Sequence, residues 1–230
     1  MHGRVTRWAA KVCVKIFVAL VILSIIEVGL LRFLNPPFTV SMAKEWLESK
    51  LGSEKYERPT SIWLPLEEIS PNLTKAVLAG EDQRFLLHHG FDFIEMREAF
   101  HDLLSAKRAR GASTITMQVA RTLFLWHGRS WLRKFAEAYY TVLIEVLWNK
   151  RRILEIYLNT VDWGKGVMGA EAASRKYFER SAAEVTPQQA AMLASVLPSP
   201  YRWSPVRPND HVRLRANRIM KDMSKMPTIH

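Results

Sequence analysis

The run EDQRFLLHHGFDF, Glu81 to Phe93, sets two adjacent acids and two adjacent histidines among three phenylalanines. Side chains of these types can ligate a metal, move protons, or sit solvated at a helix end. A metal would need both histidines on one side. Neighbouring helical positions are roughly 100° apart, so His88 and His89 do not face one ion, and a histidine metal site is disfavoured. Proton transfer fits better. Ser70-Pro71 reads as a helix start, a capping serine followed by proline at the first helical position. Leu73, Ala76 and Val77 then make an apolar stripe whose next steps are Gly80 and Glu81, with Phe85 and His88 on the same face if the helix persists. This turns Glu81 inward and Asp82 away. A carboxylate among apolar neighbours holds its proton more tightly, which suits a general base working near neutrality. The competing reading is a surface acid near a helix end, and His89-Gly90 is the expected end of that helix.

A second cluster follows. In ARGASTITMQVARTLF, Ala109 to Phe124, a glycine and the hydroxyls of Ser113, Thr114 and Thr116 precede a helical run through Val119, Ala120 and Leu123. Small hydroxyls at a helix N-terminus suit an anionic group, although alone they are only a cap. The Walker spacing is absent. Arg121, Arg129 and Arg133 come next, then Lys134 and Glu137. Ser130 is expected to cap a helix over roughly 131–148, with Phe135, Tyr139, Val142 and Val146 facing the core and Arg133 and Glu137 on the opposite, polar side. An exposed pair of that kind has little energetic weight. A concentration of guanidinium groups after a hydroxyl-rich helix start suits phosphate oxygens. Gly164-Lys165-Gly166-Val167-Met168-Gly169 fits the dinucleotide fingerprint, but that needs a preceding strand, and ILEIYLN before it is helical. These glycines are read as a loop joining two helices.

The elements that must position these residues occupy most of a 230-residue chain. The only cysteine, Cys13, excludes an internal disulfide and a multi-cysteine zinc site. A net charge of +11 points to an anionic partner, against the plainer reading of a basic protein kept soluble by its charge. Residues 12–34, VCVKIFVALVILSIIEVGLLRFL, are long and apolar enough to cross a bilayer. Arg4, Arg7, Lys11 and Lys15 precede or open that run and only Arg32 follows closely, which predicts a cytoplasmic N-terminus, residues 1–11, with the rest outside. LLRFLNPPF is a poor cleavage site, so the segment is read as a retained anchor ended by Asn35-Pro36-Pro37. An outward-facing tethered domain argues against a nucleic-acid partner. Residues 35–61 read as a connector with a short helix around 43–50, and residues 62–230 as one domain, helical nearly throughout.

In order, EDQRFLLHHGFD (81–92), RGASTITMQVAR (110–121), RKFAE (133–137), RRILEIYLN (151–159), WGKGVMGAEAASRKYF (163–178) and PQQAAMLASVLPSPYRWSP (187–205) resemble the peptidoglycan glycosyltransferase family. That family comprises the monofunctional biosynthetic transglycosylases and the glycosyltransferase domains of class A penicillin-binding proteins. The short length and single anchor look most like the monofunctional form. The resemblance implies a mostly α, lysozyme-like fold and polymerisation of lipid II into β-1,4-linked glycan strands, with release of undecaprenyl pyrophosphate. Glu81 would be the base that deprotonates the acceptor 4-hydroxyl. Glu137 would be a second acid on the phosphate side and the candidate ligand for a divalent cation, Mg or Mn; no organic cofactor is implied. Ser113, Thr114, Gln118, Arg121, Arg129 and Arg133 would line the phosphate region, with Asp82, Phe85 and His88 as further substrate contacts. Partners implied are lipid II, the growing strand, the membrane, and other cell-wall synthesis or division proteins. Met117, Arg121 and Thr122 depart from the family pattern of two glutamines, a lysine and an asparagine, which puts contacts there in doubt. Two other functions stand beside this one: a lytic glycosidase, and an inactive anchored scaffold. The basic tail HVRLRANRIMKDMSK reads as one solvated face of a terminal helix.

Overall fold

The computed structural model describes residues 2–52, 57–105, 111–126, 128 and 130–229. Two units divide the chain, Met1–Pro36 and Pro37–His230. The first is the helix α1 (His2–Leu31). Its stretch Ala10–Leu31, 22 residues of mean hydropathy 2.6, is long and apolar enough to cross a membrane. The helix stops before the prolines that were expected to end it. The Phe33 and Leu34 amides both fold back on the Leu30 carbonyl, at 3.0 and 2.9 Å, and the chain turns there.

The second unit begins at Pro37, so the segment read as a connector contributes α2 (Val40–Lys50) and the short strand β1 (Thr60–Ser61) to it. Thr39 opens α2 by accepting the Met42 amide. Two groups of helices carry the core. In one, α3 (Pro71–Glu81), α9 (Pro187–Val196) and α10 (Asp210–Met223) pack on one another. Ser70 caps α3 as its sequence suggests, and its hydroxyl also donates to the Val185 carbonyl just before α9. Leu73, Ala76 and Val77 of α3 meet Leu193 and Ala194 of α9 and Val212 and Ile219 of α10, all fully buried or nearly so. In the other group, α5 (Ile115–Phe124) is sandwiched by α6 (Trp131–Leu147) and α7 (Lys150–Thr160), burying Ile115, Val119 and Ala120 against Ile144, Ile153 and Ile156. Beside these lie α4 (Phe93–Leu104) and α8 (Ala170–Phe178).

The glycine loop does join α7 to α8, and it also carries a strand, β2 (Val167–Met168), which pairs in parallel with β1. Gly169 ends it at φ 84°, and a Cβ there would stand 2.6 Å from the Asn159 carbonyl oxygen.

Two expectations change. Helix α3 does not persist to His89-Gly90: it ends at Glu81, Asp82 turns to φ −161°, and only a single 3-10 turn, Phe85–Leu87, follows. Gly90 has the expected positive φ of 87°, but in a loop pressed on α6, where a Cβ would meet the Thr141 methyl at 2.7 Å. The larger change is α6, which is turned over. Phe135 and Val146 are 70% and 75% exposed, and Tyr139 and Val142 are exposed as well, while Glu137, Thr141 and Ile144 face inward. Both stripes have helical spacing; periodicity identifies an apolar face without saying what covers it. Helix α4 is alike, with Phe93, Phe100, Leu103 and Leu104 exposed and no buried residue.

The Gly169→Ala variant is expected to lose about 2 kcal/mol of stability, from positive φ and the carbonyl contact together. A lower thermal unfolding midpoint in detergent checks this, and an unchanged midpoint contradicts it.

Candidate active site

Glu81 is the last residue of α3, with its side chain 11% exposed. Each of its oxygens has one donor, and the donors come from different helix groups. Arg215 of α10 donates from Nη2 to Oε1 at 2.9 Å and to the Gly80 carbonyl at 2.7 Å. Gln118 of α5 donates its amide to Oε2 at 3.0 Å. The Tyr157 hydroxyl of α7 donates in turn to the Gln118 carbonyl oxygen at 3.2 Å, which fixes the end of that amide that faces the acid. Burial holds Tyr157 well above its ordinary range, reinforced by the charge of Glu81, so it remains a donor.

Burial also raises the proton affinity of Glu81 above the ordinary 4.5; the Gln118 hydrogen bond, then Arg215, then Arg121 oppose it. Glu81 thus leans inward, as its place on the stripe suggests, with its proton affinity raised by burial. Arg121 lies one turn beyond Gln118 on α5, exposed and within electrostatic reach of Glu81.

Asp82 is not turned away. It is 8% exposed, its Oδ2 accepts the Ile115 amide at 3.0 Å, and His88 Nε2 lies 3.0 Å from its Oδ1. Asp82 therefore ties the end of α3 to the start of α5. His88 stands buried behind Asp82, and Phe85, 1% exposed, packs edge-on to His88 beneath the Lys150 ammonium. Neither ring faces solvent, and both pack behind the Glu81–Asp82 corner. Thr114 is likewise spent: it caps α5 on the Met117 amide and donates to the Gly90 carbonyl at 2.6 Å. Ser113 lies half-buried just before it. Met117, one of the departing positions, is 4% exposed and belongs to the core, while Gln118 beside it, which keeps the family pattern, reaches the acid.

Glu137 is the second acid, on α6. It is 2% exposed rather than on a polar outer side, and cations close it: Arg133 Nη1 at 2.5 Å on one oxygen, Lys134 Nζ at 2.6 Å on the other. Arg133 also donates from Nε to the Gly128 carbonyl. Arg129, the remaining expected phosphate contact, lies outside the described residues. A divalent cation at Glu137 would have to displace one of these two cations. No cluster of three acids, histidines or cysteines suits a metal among the described residues. Among the described residues these side chains do not form a cage for Mg or Mn.

Two site residues, Arg215 and Tyr157, escape a motif-based reading. The signal for Arg215 is its register: it stands three after Val212 and four before Ile219, on the buried stripe of α10, where a basic residue needs an acid. Tyr157 offers none, being one more large residue on the buried face of its helix.

The chain matches the family model described as Transglycosylase over residues 48–224. A biosynthetic peptidoglycan transglycosylase of Pseudomonas entomophila (strain L48) is 48% identical over 203 residues, 88% of this chain and 86% of that protein. Its counterpart in Pseudomonas fluorescens (strain Pf-5) is 46% identical over 220 residues, 96% of this chain and 91% of that protein. That of Pseudomonas aeruginosa (strain PAO1) is 46% identical over 203 residues, 87% and 86% of the two chains.

Removing the guanidinium leaves burial less opposed, so Arg215→Met is expected to move the Glu81 titration to higher pH, with Arg215→Lys between the two. Infrared difference spectra of the carboxyl band, with Glu81→Gln as the blank, measure this. A titration that stays or moves down contradicts the assignment.

Proposed function

The chain belongs to the transglycosylase family and is a peptidoglycan glycosyltransferase, and we propose that Glu81 is the base that activates the acceptor hydroxyl. The substrate fits a disaccharide-peptide carried on a lipid pyrophosphate, lipid II. The Glu81 carboxylate accepts the proton of the acceptor 4-hydroxyl as that oxygen bonds to the donor's anomeric carbon. The bond from that carbon to the pyrophosphate oxygen breaks with inversion, and the pyrophosphate carries the electron pair away. Such a leaving group needs little protonation but strong cationic stabilisation, for which Arg121 and Arg133 are the described candidates. Gln118 and Arg215 keep the carboxylate aimed while burial keeps it basic.

The observation that carries this reading is a nearly buried carboxyl held by one amide and one guanidinium, beside a further exposed arginine. A lytic glycosidase would need a second available carboxyl group. Among the other acids of these motifs, Asp82 and Glu137 are fully engaged, and Asp92, Glu155 and Glu171 are paired with Arg84, Arg152 and Arg175. The apolar faces of α4 and α6 and the helix α1 support a membrane-borne substrate. The charge bias around α1 supports a retained anchor with a cytoplasmic N-terminus and an extracytoplasmic catalytic unit.

With labelled lipid II, the purified chain is expected to form strands, and Glu81→Gln to lower turnover about a thousandfold while keeping its fold. Arg121→Ala is expected to cost about tenfold or more. Undiminished polymerisation by Glu81→Gln, or digestion of finished sacculi without strand growth, overturns the reading.

A further inference from the structure

A further buried acid lies in α2, away from the Glu81 site. Glu45 is 2% exposed. Its Oε1 accepts the Tyr201 hydroxyl. Its Oε2 is buried and meets no donor among the described residues. The group within hydrogen-bond reach is another acid, Asp162, which already accepts the Gly164 amide at 2.8 Å. Two ionised carboxylates cannot bond to each other. One proton between them supplies the missing donor and removes one of two like charges.

We propose that Glu45 and Asp162 share a single proton that latches α2 onto the loop 161–166 and the turn at 199–203, and that α2 loosens when this proton leaves. The other groups facing the pair are few. Burial raises Asp162, while the Tyr201 hydroxyl and the Lys44 charge both favour its ionised form; Tyr177 faces Asp162 from α8 with Glu57 beyond it. Burial, then the charge of Asp162, pushes Glu45 up to about 8, against the Tyr201 hydrogen bond. With α2 released, Glu45 is an ordinary carboxylic acid of about 4.5. Latching therefore takes up a proton between about pH 5 and about pH 8. For an acid raised in the closed state, closure is strongest at low pH, weakens through that window, and levels off above it. The latch bears on catalysis through packing, since α2 lies against α5, the helix of Gln118 and Arg121.

The test is amide hydrogen exchange of the full chain in detergent micelles from pH 5 to pH 9, divided by the chemical exchange rate at each pH. The opening of α2 amides is expected to rise by up to about tenfold per pH unit between about pH 5 and about pH 8, then flatten. Amides of α9, in the same unit and bonded to neither this pair nor Glu81, serve as reference and are expected not to follow. Glu45→Gln, whose amide donates to Asp162 without titrating, is expected to abolish the slope. Asp162→Asn, which donates back to Glu45 and removes the like charge but not the burial, is expected to shorten the window from its upper end should the first variant fold poorly. A flat wild-type profile, a slope shared by α9, or a slope that both substitutions leave unchanged overturns the latch. No substrate is involved, so the outcome is independent of what Glu81 does.

Discussion

A carboxylate withdrawn from water at the end of a helix must find its compensation in the protein, and here that requirement joins two halves of a fold. Helices α3, α9 and α10 form one packed group and α5, α6 and α7 another. Glu81 sits where they meet, with Arg215 from the first group on one oxygen and Gln118 from the second on the other. An unpaired buried charge would cost several kcal/mol, so neither helix group can shift without exposing that cost. The neighbouring details follow from the same demand. Gly80 leaves room for α10 to approach, since a Cβ there would press on Ile219 at 3.0 Å, and Asp82 pins the start of α5 beside the acid.

The two acids of the site are set apart by their surroundings. Glu81 has one charged donor and one neutral donor, and its burial is not fully offset, so it keeps a raised affinity for a proton. Glu137 is as deeply buried but carries a cation on each oxygen. The first arrangement suits a group that must take a proton and release it. The second suits a fixed counter-charge that holds Arg133 and Lys134 in position for an anionic leaving group. Divergent environments around two carboxyl groups are what acid–base chemistry at a single pH requires.

Much of this was legible from residue order. Caps announce themselves locally, so Ser70, Thr114 and Ser130 open α3, α5 and α6 much as written, and the inward lean of Glu81 follows from Leu73, Ala76 and Val77. The failures share one physical cause, that a face is defined by what packs on it. The stripe Phe135, Tyr139, Val142 and Val146 has the spacing of a core and lies outside it, because Thr141 and Ile144 cover the neighbouring helices while the bulkier residues stay exposed. Asp82 was expected to point away only because α3 was expected to continue; the helix ends one residue earlier, and its peptide turns the carboxyl onto the Ile115 amide. Arg215 comes from 134 positions along the chain, a separation over which local pattern carries no information.

The most direct test of the central claim is the pH dependence of kcat/KM for strand formation by the unmodified chain. A base held at Glu81 against its burial gives a single ionisation on the acid side, falling below an apparent pKa that lies above the ordinary carboxylate 4.5. A profile with no acid limb down to the ordinary carboxylate range would mean that the group accepting the proton is not this one.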